Sequence, residues 1–190
     1  MPSNAAILER RRLARKGLGM PGDNDRILSV ARSLKDRVKA PVVGGIAVYL
    51  HGYPRATTDL DLYTEDRGAT ASELESAGAK WDSQRREHVL NAVPIHTVTP
   101  QEANHVVEKT SIIEGVRVVS LRDLISIKLI CGLEHVGRSR DIADVEELIR
   151  RIPLDKRFAA KLPKRLRDPF KKLVDAVRAD ERSRGQQPRF

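Results

Sequence analysis

The sequence predicts an α/β (α+β) fold: a mixed β-sheet flanked by helices and followed by a helical C-terminal part. Three observations carry this expectation. Short runs with strand character, such as Val42-Val43, Leu60 to Tyr63 and Val93 to Val98, alternate with helical segments as far as Ser120. Ahead of them Ile27, Leu28, Ala31, Leu34 and Val38 recur at helical spacing. From Leu121 onward strand signals stop and only helical patterns remain. Alternation followed by a helical block is the pattern of a layered sheet with a helical appendage.

At 190 residues the chain suffices for one core with such an appendage. Residues 1–22 read as a basic N-terminal segment, with a short helix over 4–16 ended near Gly17 and Gly19. The α/β core spans 23–120. Its first helix, 25–38, takes Asp23 or Asn24 as a cap, and Pro41 ends it and opens the strand Val42-Val43. Gly44-Gly45 then turn the chain into one or two helical turns, followed by a polar loop and a second strand bearing Asp59 and Asp61. Thr64 to Thr70 reads as a loop, Ala71 to Ala77 as a short helix closed by Gly78, and Ala79 to Ser83 and Glu87 to Asn91 as strands. The strand Val93 to Val98 contains Pro94, which cannot donate to a ladder and so suggests an edge position or a strand start. A helical turn over 100–107 and a hairpin over Ser111 to Ser120 complete the core. The helical part, 121–181, holds Leu121 to Cys131, Arg140 to Arg151 and two further segments near 155–180, and the tail 182–190 is expected to be disordered.

Composition narrows the functional classes. Hydrophobic residues make up 40% and charged residues 32%, and no run approaches a membrane span. The arginine-rich start lacks the apolar stretch of a secretion signal. The single cysteine, Cys131, excludes an intramolecular disulfide and fits a reducing cytoplasm. No Cys or His pairs have zinc spacing. The net charge of +9 is uneven: residues 1–40 hold ten Lys/Arg against four Asp/Glu, residues 155–190 hold twelve against five, and the middle holds thirteen against seventeen. Basic flanks around an acidic centre raise the local concentration of polyanions, although solvated helix faces give the same pattern. Aromatics at 4% leave little for stacking single-stranded bases.

The chemistry concentrates between Val42 and Tyr63. Side chains alternate along a strand, so Asp59 and Asp61 share one side, where two carboxylates suit a divalent cation. Gly44 and Gly45 sit at a strand-to-helix turn, where backbone N–H groups favour a phosphate. Arg55 has the fork that pairs with a phosphate, or else forms a surface salt bridge. Thr57 either orients the loop or bonds a phosphate. Lys128 interrupts the apolar run Leu124, Ile125, Ile127, Leu129, Ile130, and either snorkels to solvent or reaches an anion. Asp141 and Asp144 share a helical face, where they contact Lys128 or Arg138, help orient a substrate, or complement a helix N-terminus. His51 and His88 read as structural or exposed.

Gly44-Gly45 followed by Asp59-Leu60-Asp61 after thirteen intervening residues resembles the signature of the nucleotidyltransferase fold shared with DNA polymerase beta. Arg55-x-Thr57-x-Asp59-Leu60-Asp61 is similar to bacterial nucleotidyltransferases of the AbiEii and MenA type. So are Asp123-Leu124-Ile125-x-x-Lys128-Leu129 and Arg138-Ser139-Arg140-Asp141-Ile142-Ala143-Asp144-Val145. The resemblance covers roughly residues 25–175. It implies that Asp59 and Asp61 hold Mg²⁺ (or Mn²⁺), that Gly44, Gly45, Arg55, Thr57 and Lys128 bind the nucleotide, and that an NTP is the substrate. It further implies transfer of NMP to a hydroxyl on RNA, tRNA included, or on a protein, with the toxin of a toxin–antitoxin pair as one setting and an antitoxin as partner. The family supplies a third carboxylate where this chain has Val93-Pro94-Ile95-His96-Thr97-Val98, with an aspartate at the place of His96. Imidazole brings no negative charge. His96 therefore either acts as a base or marks a degenerate module that binds nucleotide or a protein partner.

Overall fold

The computed structural model describes residues 22–134 and 136–185. The expected basic helix over 4–16 lies outside them, as does the tail beyond residue 185. Helix α1, Gly22–Leu34, buries Ile27, Leu28, Ala31 and Leu34 as the spacing predicts, with Val30 besides; it ends four residues before the expected end at 38, and Val38 is buried in the turn beyond it. The helix begins before Asn24, so Asn24 is not the expected cap. The side chain instead reaches across to the polar loop.

Strand β1, Val42–Val43, passes at Gly44 into helix α2, Gly44–Leu50, which is buried from Gly45 onward. Strand β2 is Leu60–Tyr63, so Asp59 stands just before the strand rather than in it. Helix α3, Arg67–Ser76, starts earlier than expected because Asp66 caps it, accepting a hydrogen bond from the Ala69 N–H. Strands β3, Lys80–Asp82, β4, Glu87–Leu90, and β5, Val93–Val98, follow, then the single turn α4, Pro100–Ala103, held by a Thr99/Glu102 capping box. Strands β6, Thr110–Ile113, and β7, Val116–Val119, form the expected hairpin.

The seven strands make one mixed sheet in the order β3-β4-β5-β2-β1-β7-β6. The pairs β1/β7 and β2/β5 are parallel and the others antiparallel. Strand β5 is therefore central, which removes the edge alternative for Pro94. The residue lies at the strand start, ahead of the parallel pairing with β2, which begins at Ile95.

The C-terminal part consists of α5, Leu121–Glu134, a 3₁₀ turn at Val136–Arg138, α6, Ser139–Arg151, a 3₁₀ turn at Lys156–Lys161, and α7, Lys164–Gly185. The last helix runs through Pro169 and into the segment expected to be disordered. Helix α5 packs against α2, α6 and α7. Its entry is fixed by Asp123, fully buried, which accepts hydrogen bonds from Ser120 Oγ, the Lys109 N–H and His105 Nε2. One buried cluster joins the sheet residues Leu60, Ile95 and Val118 to Leu129, Val145 and Phe170 of the helices. No helix among the described residues is long and apolar enough to cross a membrane.

Candidate functional site

The parallel register of β2 and β5 places Asp61 opposite His96 and so turns both side chains to one face of the sheet. Asp59, two residues before Asp61, reaches the same place from the loop. His96 Nδ1 lies 3.5 Å from Asp59 Oδ2 and 3.8 Å from Asp61 Oδ1. One donor atom from each of the three residues falls within 4.8 Å of the others. His96 therefore occupies the position at which a third carboxylate was expected.

A carboxylate missed in the sequence stands behind it. Glu87, buried, has Oε2 only 2.8 Å from His96 Nε2. The sequence hints at it only through Asn91: in the structure Asn91 and Ala92 both adopt positive φ, +50° and +59°, and form a two-residue turn without the usual glycine. Counting outward gives the observed pairs Leu90/Val93, Val89/Pro94 and His88/Ile95, and the next step sets Glu87 opposite His96. Three carboxylates thus surround one imidazole. Its pKa is raised from 6.5 to about 9, chiefly by Asp61, against the opposing effect of burial, with Glu87 and Asp59 adding to the rise. At 3.8 Å the Asp61 contact is an ion pair rather than a well-formed hydrogen bond.

The glycine pair accommodates this arrangement. Gly44 has φ +67°, and a Cβ there would fall 1.9 Å from Asp61 Oδ2. A Cβ at Gly45 would fall 2.5 Å from Thr57 Oγ1 and 3.0 Å from an Arg55 guanidinium nitrogen. The backbone at the start of α2 is thus bare so that the carboxylate and the loop can lie against it. Thr57 Oγ1 donates to Asp59 Oδ1 at 2.9 Å, orienting that carboxylate. Asn24, buried in α1, fixes the loop from beneath: its Nδ2 donates to the Arg55 carbonyl at 2.9 Å and its Oδ1 accepts from the Thr57 N–H at 3.1 Å. This anchor was also missed, because a side chain near a helix start reads as a cap.

Arg55 and Lys128 converge on the acids of α6. Arg55 Nε lies 3.1 Å from Asp144 Oδ1, and Lys128 Nζ lies 2.5 Å from Asp141 Oδ1 and 2.9 Å from Asp144 Oδ2. Arg138 reaches the other Asp141 oxygen at 3.4 Å. Asp144 is 1% exposed and Lys128 is 8% exposed, so Arg55 forms a buried ion pair and not a surface one, and Lys128 does not snorkel to solvent. The Arg55–Asp144 contact lacks hydrogen-bond alignment and acts as a charge contact.

These residues line an open cavity of about 890 Å³, with Gly44, Gly45, Arg55, Thr57, Asp59, Asp61, His96, Lys128, Arg138, Arg140 and Asp141 among its walls, and His96 and Glu87 also line a second one of about 640 Å³. Asp59, Asp61 and His96 supply a divalent-cation donor set, and the side chains on the α5 and α6 walls supply cations that suit a polyphosphate. Cys131 also lines the larger cavity, and burial pushes its thiol pKa up, away from the reactive thiolate. His51 lies elsewhere, buried with Nε2 2.8 Å from the Val119 carbonyl. His88 is buried edge-on to Trp81.

Neither a protein-family profile nor a curated protein matches the chain. Solved structures do. An antigenic nucleotidyltransferase-like protein from Paracoccidioides brasiliensis superposes with a TM-score of 0.51 at 19% identity, covering 72% of this chain and 78% of that one. A candidate nucleotidyltransferase from H. pylori gives a TM-score of 0.50 at 17% identity, covering 94% of this chain and 82% of that one. At these identities the likeness speaks to the fold, and the chain has a nucleotidyltransferase-like fold.

Proposed function

We propose that this chain is a metal-dependent nucleotidyltransferase that moves NMP from an NTP to a hydroxyl group. The observation that supports this reading best is the convergence of Asp59, Asp61 and His96 beside Gly44 and Gly45, in one cavity with Lys128, Arg138 and Arg140. The donor set fits a divalent cation: two carboxylates and one imidazole, with the space over Gly44 already filled by Asp61. Asp59, Asp61 and His96 would hold Mg²⁺ or Mn²⁺, which when bound offsets triphosphate charge and activates the attacking oxygen.

In the transfer, the acceptor oxygen bonds to the α-phosphorus, the bond to the bridging oxygen breaks, pyrophosphate leaves, and the acceptor proton passes to water in the open cavity. The chain's own residues position the partners. Gly44 and Gly45 seat Asp61 and the Arg55–Thr57 loop against the start of α2, on the wall of the cavity that would take the triphosphate. Thr57 orients Asp59, and Arg55 and Lys128, both held by Asp144, present positive charge to the phosphates, with Asp141 orienting Lys128. The acceptor class, an RNA such as tRNA or a protein, belongs to this reading, as does the role of a toxin paired with an antitoxin. Both rest on the resemblance to the AbiEii and MenA type.

Incubation of the protein with a divalent cation, each labelled NTP and either total RNA or lysate tests the reading. Label enters an acceptor with at least one NTP, and Asp59→Ala or Asp61→Ala abolishes it. Absence of transfer with all four counts against an enzyme. It would favour a second reading, a nucleotide-binding module without turnover, to which the tethering of Arg55 and Lys128 by buried acids lends support. In that case His96→Asp is the discriminating variant, since transfer gained only there marks a degenerate site.

A further inference from the structure

We propose that Glu87 is a positioning residue that sets His96 as a nitrogen ligand beside Asp59 and Asp61, so that this centre takes Mn²⁺, Co²⁺ or Zn²⁺ in preference to Mg²⁺. The inference rests on the reading of the cavity as a divalent-metal site and names the class of metal the site selects.

Hydrogen-bond direction carries the first step. An ionised carboxylate only accepts, so the 2.8 Å contact between Glu87 Oε2 and His96 Nε2 requires the proton on Nε2. In the neutral ring the lone pair is then on Nδ1. That atom is the one turned toward Asp59 Oδ2 and Asp61 Oδ1, at 3.5 and 3.8 Å. In the metal-free protein that nitrogen carries the proton of the ion pair with Asp61; a cation held by Asp59 and Asp61 would displace it and meet the freed lone pair where the two carboxylates converge. Glu87 is not itself a ligand, because its Oε2 is engaged on the far ring nitrogen and its Oε1 lies 3.8 Å from Arg85 Nη1. A carboxylate behind a ligating imidazole fixes the ring and strengthens the nitrogen as a donor.

Two architectural facts make the arrangement deliberate in geometry. Glu87 is 8% exposed, so the carboxylate end of the hydrogen bond is held within the fold while the His96 ring stays 41% exposed toward the cavity. The two-residue turn at Asn91-Ala92 leaves no slack in the β4/β5 register, so Glu87 cannot slide away from His96.

Donor chemistry carries the second step. Mg²⁺ is hard, prefers oxygen and gives up its waters reluctantly, whereas imidazole suits the later divalent metals, and Mn²⁺ tolerates mixed oxygen and nitrogen sets. Exchanging a third carboxylate for a backed imidazole removes one negative charge and adds one nitrogen. Both changes weaken Mg²⁺ more than the transition metals.

The test is calorimetric titration of the full chain with MgCl₂, MnCl₂, CoCl₂ and ZnCl₂, using the unaltered protein, Glu87→Gln and His96→Asp. The unaltered protein is expected to bind Mn²⁺, Co²⁺ and Zn²⁺ at least tenfold more tightly than Mg²⁺. Glu87→Gln should weaken those three by about 10- to 100-fold while leaving Mg²⁺ nearly unchanged. His96→Asp should narrow the preference by strengthening Mg²⁺. Pulsed EPR of Mn²⁺ bound to the unaltered protein should show coupling to one ¹⁴N nucleus, absent in His96→Asp, a signature that does not depend on how well Glu87→Gln folds. Mg²⁺ binding as tight as Mn²⁺, or bound Mn²⁺ without nitrogen coupling, would overturn this inference and leave the metal-dependent reading standing. Failure of all four cations to bind would overturn both.

Discussion

Gly44→Ala is the most incisive single perturbation of the site. At φ +67° an alanine pays the left-handed backbone penalty of about 1–2 kcal/mol. Its methyl would also lie 1.9 Å from Asp61 Oδ2 and 2.7 Å from Asp61 Cγ. Neither distance is tolerable, and a carboxylate side chain is easier to move than the sheet. Forcing Asp61 off its rotamer adds about 0.5–1.5 kcal/mol, so the variant should lose about 2–3 kcal/mol of stability. Because Asp61 leaves its place beside Asp59 and His96, affinity for Mn²⁺ should fall at least about tenfold. Urea unfolding in chelator measures the first effect and Mn²⁺ titration the second. Gly68→Ala is the control: the added methyl meets only Asp66 Oδ1 at 3.4 Å, and the smaller entropy of the unfolded chain should stabilise by about 0.4–1 kcal/mol. A Gly44→Ala protein as stable as the parent, with Mn²⁺ affinity intact, would refute the claim that the bare backbone at Gly44 exists to seat Asp61.

Other perturbations test neighbouring parts. Asp144→Ala removes the acid shared by Arg55 and Lys128 and should cost about 3 kcal/mol in urea unfolding, near the low end for a broken buried pair because Lys128 keeps Asp141. Asn24→Ala strips two hydrogen bonds from the loop at Arg55 and Thr57 and should cost about 1–3 kcal/mol, with weaker metal binding through the loosened Thr57–Asp59 contact. In metal-free protein the raised pKa of His96 stabilises the fold fully below pH 6.5, and that contribution is lost as pH rises through about 9. With the His96 side chain 41% exposed, solvent screening reduces the contribution to about 1 kcal/mol. The difference in unfolding free energy between the parent and His96→Gln should therefore shrink between pH 6.5 and 9, and a difference flat across that window would contradict the assignment.

Local patterns were legible in the sequence. The glycine pair, the shared side of Asp59 and Asp61, and the apolar face of α1 follow from turn chemistry and periodicity, although α1 ends at Leu34 rather than 38 and Asp59 stands just before its strand. The placing of His96 came from the family resemblance and not from a local pattern; the parallel register of β5 and β2 sets it opposite Asp61. What escaped was set by pairing over distance. Glu87 required reading Asn91-Ala92 as a two-residue turn and counting outward. Asn24 required knowing that the loop at Arg55 passes over α1, 31 residues away in sequence. The spacing of Asp141 and Asp144 indicated a shared helix face, but not that Arg55, from a loop before β2, would join Lys128 on Asp144. Pro94 left edge and strand start open, and only the strand order decides between them.

The central claim is that one cavity joins a divalent cation to a triphosphate. Equilibrium binding of a non-hydrolysable NTP, measured with and without Mn²⁺ on the parent, Asp59→Asn and Asp61→Asn, tests it most directly. The account predicts binding that strengthens sharply with Mn²⁺ in the parent and loses that dependence in both variants. Binding indifferent to the cation, or unchanged by either substitution, would contradict it.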